Sequence, residues 1–465
     1  VELRMAERNL FQLLDFDPSR PEDRERVDGE AIIAAVQRAP FVTEVKFDFL
    51  VGSGYPYYQS CRVSHFPLHQ AIMLKAPLGV IDALSTPRAI RLRCDIDTSP
   101  LHLACHYRTS VDVIMLLMKK YPKAIKQRGR HGATILHAAA YGTSFDAISL
   151  ILRIWPESVK TTNRFGQTPL YIACKHNAPV EVASLLLNSW PEASKITDKN
   201  GEGLLHLLFK NHSARMEVIL LLLDAWLGKK ENRTKKDMDS LKKCYCSESR
   251  ADVKKLLRFV TSTFYGDNAK NNSEVQKIKN HFIRVKWGNG LALLIDKYPN
   301  RIERYGDALD ILSLLLKSWS EAIRVKSKHG NTPVCMIRLK KAVFHQLELW
   351  LMSSRMKGRN GIRTLKRRFY NDAPDGFKKL LDHISSLYIS DERNKPSPNE
   401  TMTLFVSIGW WKGVLLLIRK YPAAVKATSL HASVMPEVLA MVGRRYKLAT
   451  MWELIRNEQV LLANV

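Results

Sequence analysis

The sequence lacks the features that mark secreted, membrane-spanning and disulfide-stabilised proteins. Its 465 residues include seven cysteines, an odd number scattered mostly through apolar stretches, which indicates reduced, buried thiols. The most apolar run, residues 218–227, is about half as long as a membrane-spanning helix. The N-terminus is too acidic for an import peptide and has no apolar signal core. We therefore expect an intracellular protein, cytoplasmic or nuclear, with an organellar location left open because the chain begins at Val1 and its N-terminus is potentially incomplete.

Acidic residues are scarce relative to basic ones. Lys and Arg number 72 against 45 Asp and Glu, which gives a net charge of +27 at pH 7. This excess favours an acidic partner and leaves open an acidic protein, a nucleic acid or an anionic membrane surface. One dense basic cluster lies at residues 355–368 and contains no acid. Its cations are Arg355, Lys357, Arg359, Arg363, Lys366, Arg367 and Arg368.

Motifs for catalysis and for cofactor binding are missing. The sequence has no G-x-x-x-x-G-K-[ST] loop, no kinase H-R-D with D-F-G, no G-x-S-x-G and no H-E-x-x-H. Gly52 and Gly54 lack the third glycine and the helix of a dinucleotide-binding motif. Cys244 and Cys246 have no companion ligands, which favours two exposed thiols over a metal or redox pair. The sequence therefore predicts a non-catalytic protein without cofactor or metal.

Two short motifs recur in the same order, 33–35 residues apart in the N-terminal half. The first is a Pro-Leu-His type of motif, found at residues 67–69, 100–102, 135–137, 169–171 and 204–206. The second is an aromatic residue followed by Pro or Ser, found at Tyr121, Trp155, Trp190, Trp319 and Tyr421. Their fixed order indicates a repeated structural unit.

Each unit is predicted to contain two short helices and a turn. Ser99 and Thr168 precede a proline and are suited to cap a first helix. An apolar second helix ends at the proline of the second motif, because proline cannot continue a helix. Asp198, three residues before Gly201, predicts a hairpin turn between units.

The order of these features resembles the ankyrin repeat, with Asp198–Gly201, Ser99–Ala104 and Thr168–Ala173 carrying the resemblance. The Trp-Pro ending resembles a lineage-expanded subset of ankyrin proteins in unicellular algae. The resemblance implies an all-α ankyrin-repeat solenoid of about eight helix-pair units with short β-hairpin loops, interrupted by basic insertions.

The resemblance also bears on the histidines and cysteines of the first motif, residue types that on their own are typical of a metal or haem site. His102, His137 and His206 are expected to pack between repeats, buried and bonded to backbone. Cys105 and Cys174 are expected to be small buried apolar residues.

We expect five segments along the chain. They are an N-terminal cap with a loop insertion at 51–65 (1–65), regular repeats (66–226), a basic, partly disordered insertion (227–290), degenerate repeats with the 355–368 cluster (291–400), and C-terminal repeats with a cap (401–465). Leu186, in the middle of a second helix, is expected to be important for stability. Leu227, beside the insertion, is expected to matter much less.

In ankyrin proteins partners contact the hairpin tips and the exposed side of the first helices, so the resemblance implies two sets of binding residues. The hairpin-tip row consists of Arg130, His131, Arg164, Phe165, Lys199 and Asn200. The helix-end set consists of His106, Tyr107, Tyr141, Lys175, His176, Lys210 and Asn211. Basic residues with interleaved aromatics favour an acidic protein or peptide as partner.

Two alternatives to an acidic protein stay open at this point. The same residues together with the 355–368 cluster would also suit a nucleic acid. Attachment to a membrane is disfavoured because the cluster lacks an apolar anchoring face. A separate lysine row, Lys126, Lys160 and Lys195, is expected to keep the protein soluble. The oligomeric state is not predicted.

Overall fold

The computed structural model describes residues 2–51, 61–94, 97–227, 250–265, 272–299, 308–324, 334–352, 359–371, 373–388, 396–408, 410, 413, 414, 416 and 417. The chain divides into two compact units, Val1–Arg258 and Phe259–Val465. Within the described residues, no helix is both long enough and apolar enough to cross a bilayer.

The first unit begins with three helices and a two-stranded sheet. These elements are α1 (Glu2–Leu14), α2 (Pro21–Glu25), α3 (Gly29–Arg38), β1 (Phe47–Val51) and β2 (Cys61–His65). The strands are antiparallel, with Phe47 opposite His65. The prediction of a loop over 51–65 is therefore wrong for residues 61–65, whose backbone pairs with β1.

Gln70 ties this N-terminal region to the first repeat. Its side-chain amide, fully buried, donates to the Leu14 carbonyl at 3.1 Å and to the Phe16 carbonyl at 2.8 Å. Its carbonyl oxygen lies 2.9 Å from Nε2 of His65 on β2. Because buried polar groups are costly without partners, this network fixes α1 and the sheet against the helix that carries Gln70.

Five helix pairs follow between residues 67 and 227. The first helices of the pairs are α4 (Pro67–Met73), α6 (Pro100–His106), α8 (Ile135–Gly142), α10 (Pro169–Lys175) and α12 (Leu204–Lys210). The second helices are α5 (Leu78–Leu84), α7 (Val111–Lys120), α9 (Phe145–Ile154), α11 (Val180–Ser189) and α13 (Met216–Leu227). Each first helix packs against the first helix of the next pair, as in a solenoid.

Local chemistry explains the ends of these helices. The Ser99 hydroxyl accepts from the backbone N–H of His102, and the Thr168 hydroxyl accepts from that of Tyr171. At the other end, α7, α9 and α11 stop two residues before a proline, and each proline begins a short 3₁₀ turn. The predicted caps and stops are thus confirmed.

The hairpin between pairs is built by an Asx turn. Oδ1 of Asp198 accepts from the backbone N–H of Asn200 and of Glu202, each at 2.9 Å. Gly201 then takes φ of 78°, a conformation that glycine adopts without a steric penalty. The turn predicted from Asp198 and Gly201 is confirmed.

Further helices follow in the chain. They are α14 (Ala251–Tyr265), α15 (Asn272–Arg284), α16 (Gly288–Lys297), α17 (Ala308–Arg324), α18 (Val334–Met352), α19 (Arg359–Phe369), α20 (Asp375–Tyr388) and α21 (Pro398–Ser407). Two of them lie where the sequence indicated an exposed, partly disordered insertion at 227–290. In α15, Val275, Ile278 and Phe282 are fully buried at helical spacing, so this stretch forms part of a core.

The burial of Leu227 also differs from what the sequence predicts. It is 1% exposed, against 0% for Leu186, because it ends a helix whose residues Val218, Ile219 and Leu223 are also buried. This burial contradicts the expectation that Leu227 matters much less for stability than Leu186. Residues 228–249, with Cys244 and Cys246, lie outside the described part of the chain.

Candidate functional site

Histidines at the third position of the first motif connect neighbouring repeats. In His137, Nδ1 lies 2.8 Å from the Thr134 hydroxyl, and Nε2 donates to the Gln167 carbonyl of the next hairpin at 3.0 Å. His102 makes the same two contacts, with Ser99 at 2.7 Å and with the Ala133 carbonyl at 3.3 Å. Both histidines are buried, so the prediction for them is confirmed.

Burial also sets the charge of these imidazoles. Desolvation lowers the pKa of His102 and of His137 to about 4. Both are therefore neutral at pH 7, with Nε2 carrying the proton that it donates to a carbonyl and Nδ1 accepting from a hydroxyl.

His206 does not follow this pattern, so the prediction for it is wrong. Its side chain is 31% exposed, and Nε2 lies 3.4 Å from Oε1 of Glu202 instead of a backbone carbonyl. The residue at the cap position is Gly203, which has no hydroxyl to donate to Nδ1.

The cysteines of the repeats are buried thiols. Burial raises the pKa of Cys105 and of Cys174 to about 12, so both stay protonated at pH 7. In the ranges that the structure describes, no three His, Cys, Asp or Glu side chains gather in a way that could hold a metal ion.

The hairpin-tip row is held together by backbone hydrogen bonds between successive hairpins. The Arg164 N–H donates to the His131 carbonyl at 2.7 Å, and the Lys199 N–H donates to the Phe165 carbonyl at 2.9 Å. The structure thus brings three hairpins into one continuous row.

Exposure differs along the row. Arg130 and His131 are half-buried, whereas Arg164, Lys199 and Asn200 are exposed. Phe165 is 48% exposed, and the centroid of its ring lies 5.1 Å from that of the His131 imidazole.

The helix-end set is also brought together, but its rings pack on one another. The Tyr141 ring lies between two imidazoles, 4.2 Å from His106 and 4.0 Å from His176. Burial, with the nearby His176, lowers the pKa of His106 to about 4, so His106 presents a neutral ring at pH 7.

The rest of the set surrounds this stack. Tyr107 contacts the ring of His106 at 5.1 Å. Lys175 and Lys210 are exposed, and Nζ of Lys210 lies 3.2 Å from Oε1 of Glu202. The half-buried Asn211 donates from its side chain to that of Asn177 at 2.9 Å.

The lysine row differs from the hairpin-tip row in its pairing. Lys160 lies 2.9 Å from Glu157, and Lys195 lies 3.5 Å from Glu192. Two of its three charges are therefore compensated one turn away.

Two arginines that sequence analysis missed also join hairpins. Arg93 donates to the Arg128 carbonyl at 2.9 Å, and Arg128 donates to the Thr162 carbonyl at 3.0 Å. Their separation by one repeat length was the available signal. Because these arginines bond backbone, they stabilise the row and are not free to bind a partner.

The basic cluster at 355–368 is only partly described. Arg355 and Lys357 lie outside the described residues, and Arg359 begins α19. Lys366 pairs with Asp382 at 2.9 Å and Arg368 with Asp310 at 2.6 Å, whereas Arg363 and Arg367 are exposed. The apolar side of α19, formed by Ile362, Leu365 and Phe369, is buried.

Comparison with known proteins gives a match to one family model and to many solved structures, among them two ankyrin repeat domains. No curated protein sequence matches the chain. The ankyrin repeat domain of Bcl-3, described as a unique member of the IkappaB protein family, is 18% identical, with 47% of this chain and 85% of that one covered and a TM-score of 0.31. The human ASB11 ankyrin repeat domain is 19% identical, with 42% and 82% covered and a TM-score of 0.31.

The family model matches a single repeat. The model of the ankyrin repeat family matches residues 165–199, which run from one hairpin through α10 and α11 to the next. The neighbouring helix pairs repeat this arrangement of helix, helix and hairpin. The paired helices of residues 67–227 therefore form an ankyrin solenoid.

Proposed function

We propose that this chain is a non-catalytic scaffold that binds an acidic protein segment along the hairpin-tip row and the helix-end set. The observation that carries the proposal is the linkage of the three hairpins by the bonds from Arg164 to His131 and from Lys199 to Phe165. A row that is already ordered loses little conformational entropy when a partner binds, so more of the interaction energy appears as affinity.

Charge supports an acidic partner for this surface. Within the described part of the chain, neither Arg164 nor Lys199 forms an ion pair, whereas Lys160 and Lys195 of the lysine row each have a nearby glutamate. Arg164 and Lys199 thus present uncompensated positive charge in the hairpin-tip row, which complements carboxylates and speeds association.

Phe165 supports a protein segment with at least one apolar side chain. Aromatic side chains, phenylalanine included, are enriched in the cores of protein interfaces, and Phe165 exposes such a ring beside a cation. Its position beside Arg164 would let one short segment contact ring and charge together.

A nucleic acid remains the second candidate, favoured by the net charge of +27. Two cations of the basic cluster, Lys366 and Arg368, are paired with aspartates, which lowers the charge available for phosphates. This pairing is the reason to rank the nucleic acid second. The intracellular location and the algal subset stay predictions from the sequence.

The test is recovery of partners on the immobilised protein, with and without nuclease, followed by affinity measurement at several salt concentrations. We expect a protein partner that survives nuclease and a shallow salt dependence. Loss of every partner with nuclease, and a slope of log K on log salt of about −0.7 to −0.9 per neutralised phosphate, would favour the nucleic acid.

A further inference from the structure

The outer edge of strand β1, which faces away from β2, is closed by side chains. The Leu50 N–H donates to Oδ1 of Asp15 at 3.0 Å, and the Leu50 carbonyl accepts from Nε2 of Gln70 at 3.4 Å. The Asp48 carbonyl accepts from the Arg62 guanidinium at 2.7 Å. Helix α1 also packs against β1. These groups block β1 against pairing with a further strand.

The outer edge of β2 is open where the structure describes its surroundings. In an antiparallel pair, two residues directly opposite each other either exchange their backbone bonds or both direct them away from the pair. Arg62 lies opposite Leu50, and Ser64 lies opposite Asp48. Because Leu50 bonds away from β2, Arg62 and Ser64 direct their N–H and carbonyl groups away from β1. Across the described residues, no group outside the sheet bonds the backbone of Arg62 or Ser64.

Neither proline nor an unpaired charge protects this edge of β2. Natural sheets normally guard an exposed edge with proline, with charged side chains or with a covering element. Residues 61–65 contain no proline, and the Arg62 guanidinium is held by Asp15, with Nη2 2.8 Å from Oδ2. Arg62 is exposed and Ser64 is half-buried. The contrast between a protected β1 and an unprotected β2 indicates that β2 is left able to pair.

The edge of β2 is continuous with the helix-end set. Val63 on β2 and Tyr107 both pack against the buried Met73. The centroid of the Tyr107 ring lies 5.1 Å from that of His106, the first ring of the helix-end stack. A residue opposite Val63 on a third strand would share its face of the sheet and be directed to the same side as Met73 and Tyr107. One extended segment can thus pair with β2 and reach the helix-end set.

We propose that an extended segment of the acidic partner pairs with β2 as a third strand. Backbone bonds to Arg62 and Ser64 would supply affinity, and the residue opposite Val63 would supply specificity for an apolar side chain. A second copy of this chain is the weaker occupant, because two chains that each carry a net charge of +27 repel one another, whereas an acidic segment is attracted. This inference rests on the proposed function for the partner being an acidic protein segment.

The test is selection of peptides that need this edge. A phage-displayed library of random twelve-residue peptides is depleted on the immobilised S64P variant and then captured on the wild type. Proline at this position removes the outward N–H and leaves the bonds between β1 and β2 intact. Enriched peptides, made synthetically, should bind the wild type at least about tenfold more tightly than S64P. S64A, which keeps the N–H, and D48P, which places proline on the closed edge of β1, should bind like the wild type.

Methylation of the peptide backbone tests strand pairing without changing the protein. Only alternate residues of a strand direct their N–H groups to one neighbour, so single N-methyl groups should weaken binding at every second paired position and not between. No enrichment above S64P, an equal loss in D48P, or a scan without alternation would overturn the site. So would a wild-type dimer, absent in S64P, in analytical ultracentrifugation without peptide, because it would assign the edge to a second copy.

The natural partner separates this inference from the proposed function. R164E/K199E reverses two exposed cations of the hairpin-tip row. If S64P lost the recovered partner while R164E/K199E kept it, the edge would stand and the hairpin-tip row would fail. If S64P kept the partner at full affinity while R164E/K199E lost it, the proposed function would stand and pairing at β2 would fail.

Discussion

His137 and His206 occupy the same position in two repeats, but their surroundings make them different residues. His137 is buried and neutral, and it joins its own helix cap to the next hairpin through Thr134 and Gln167. His206 is 31% exposed and faces the Glu202 carboxylate. The motif alone does not determine the role of its histidine. That role depends on a hydroxyl at the cap position and on a carbonyl from the following hairpin.

The last repeat should be packed as tightly as an interior repeat. Leu186→Ala, within the array, and Leu227→Ala, at the end of α13, should each lower the free energy of unfolding by about 2–5 kcal/mol, because each leaves a cavity in a packed interior. Urea unfolding measures both. Met115→Ala, at a residue 51% exposed, is the control and should cost little. A small effect at Leu227 alone would show that the last repeat is loosely packed.

The pH dependence of stability should follow the buried histidines. Because the pKa of His102 and His137 falls from 6.5 to about 4 on folding, protonation favours the unfolded chain. The contribution of the two histidines to the free energy of unfolding is complete above pH 6.5. It falls by about 2–3 kcal/mol for each imidazole as the pH drops toward 4. His137→Gln should flatten this profile by one proton. Identical profiles for wild type and His137→Gln would contradict the assignment.

Truncating the two histidines should separate them directly. His137→Ala should destabilise the protein by about 2–3 kcal/mol, since it leaves the buried Thr134 backbone N–H without its acceptor and removes the bonds of the imidazole to the Thr134 hydroxyl and the Gln167 carbonyl. His206→Ala should cost less than about 1 kcal/mol, as expected for a half-exposed side chain. Equal costs in thermal unfolding would mean that His206 is more tightly held than its contacts indicate.

The smallest expected effect comes from making the last repeat resemble the interior ones. Gly203→Thr restores the Thr-x-x-His arrangement and should stabilise the protein by about 0.5 kcal/mol, through a cap to His206 and a hydroxyl for its Nδ1. A Cβ at Gly203 fits, with its nearest neighbour, a Thr197 methyl, 3.8 Å away. Thr134→Gly is the matched reverse change and should destabilise. If Gly203→Thr did not stabilise the protein and Thr134→Gly did not destabilise it, the cap hydroxyl would not be what distinguishes the repeats.

Local patterns predicted the parts of the fold that depend on local chemistry. The caps at Ser99 and Thr168, the proline stops and the Asp198 turn are each decided within about five residues, and all are confirmed. Strand 61–65 was missed because its pairing with β1 depends on a distant segment. Helix α15 was missed because its many charged residues made the apolar spacing of Val275, Ile278 and Phe282, which are buried, hard to recognise in the sequence.

The candidate site was predictable in position but not in detail. Repeat spacing placed Arg164 and Lys199 in one row, as the backbone bonds show. It did not indicate that His106, Tyr141 and His176 stack on one another, since ring contacts depend on side-chain orientation. Nor did it show that Lys160 and Lys195 pair with glutamates three residues earlier, although those glutamates were visible in the sequence.

The most direct test of the scaffold is charge reversal at the hairpin tips. R164E/K199E, at two exposed cations, should weaken binding of the partner recovered on the wild-type protein by at least tenfold, with helicity and melting temperature nearly unchanged. K160E/K195E, in the lysine row, introduces the same change in charge and should have a much smaller effect. If the hairpin-tip variant kept full affinity for every wild-type partner, or if both variants lost affinity equally, binding along this row would be contradicted.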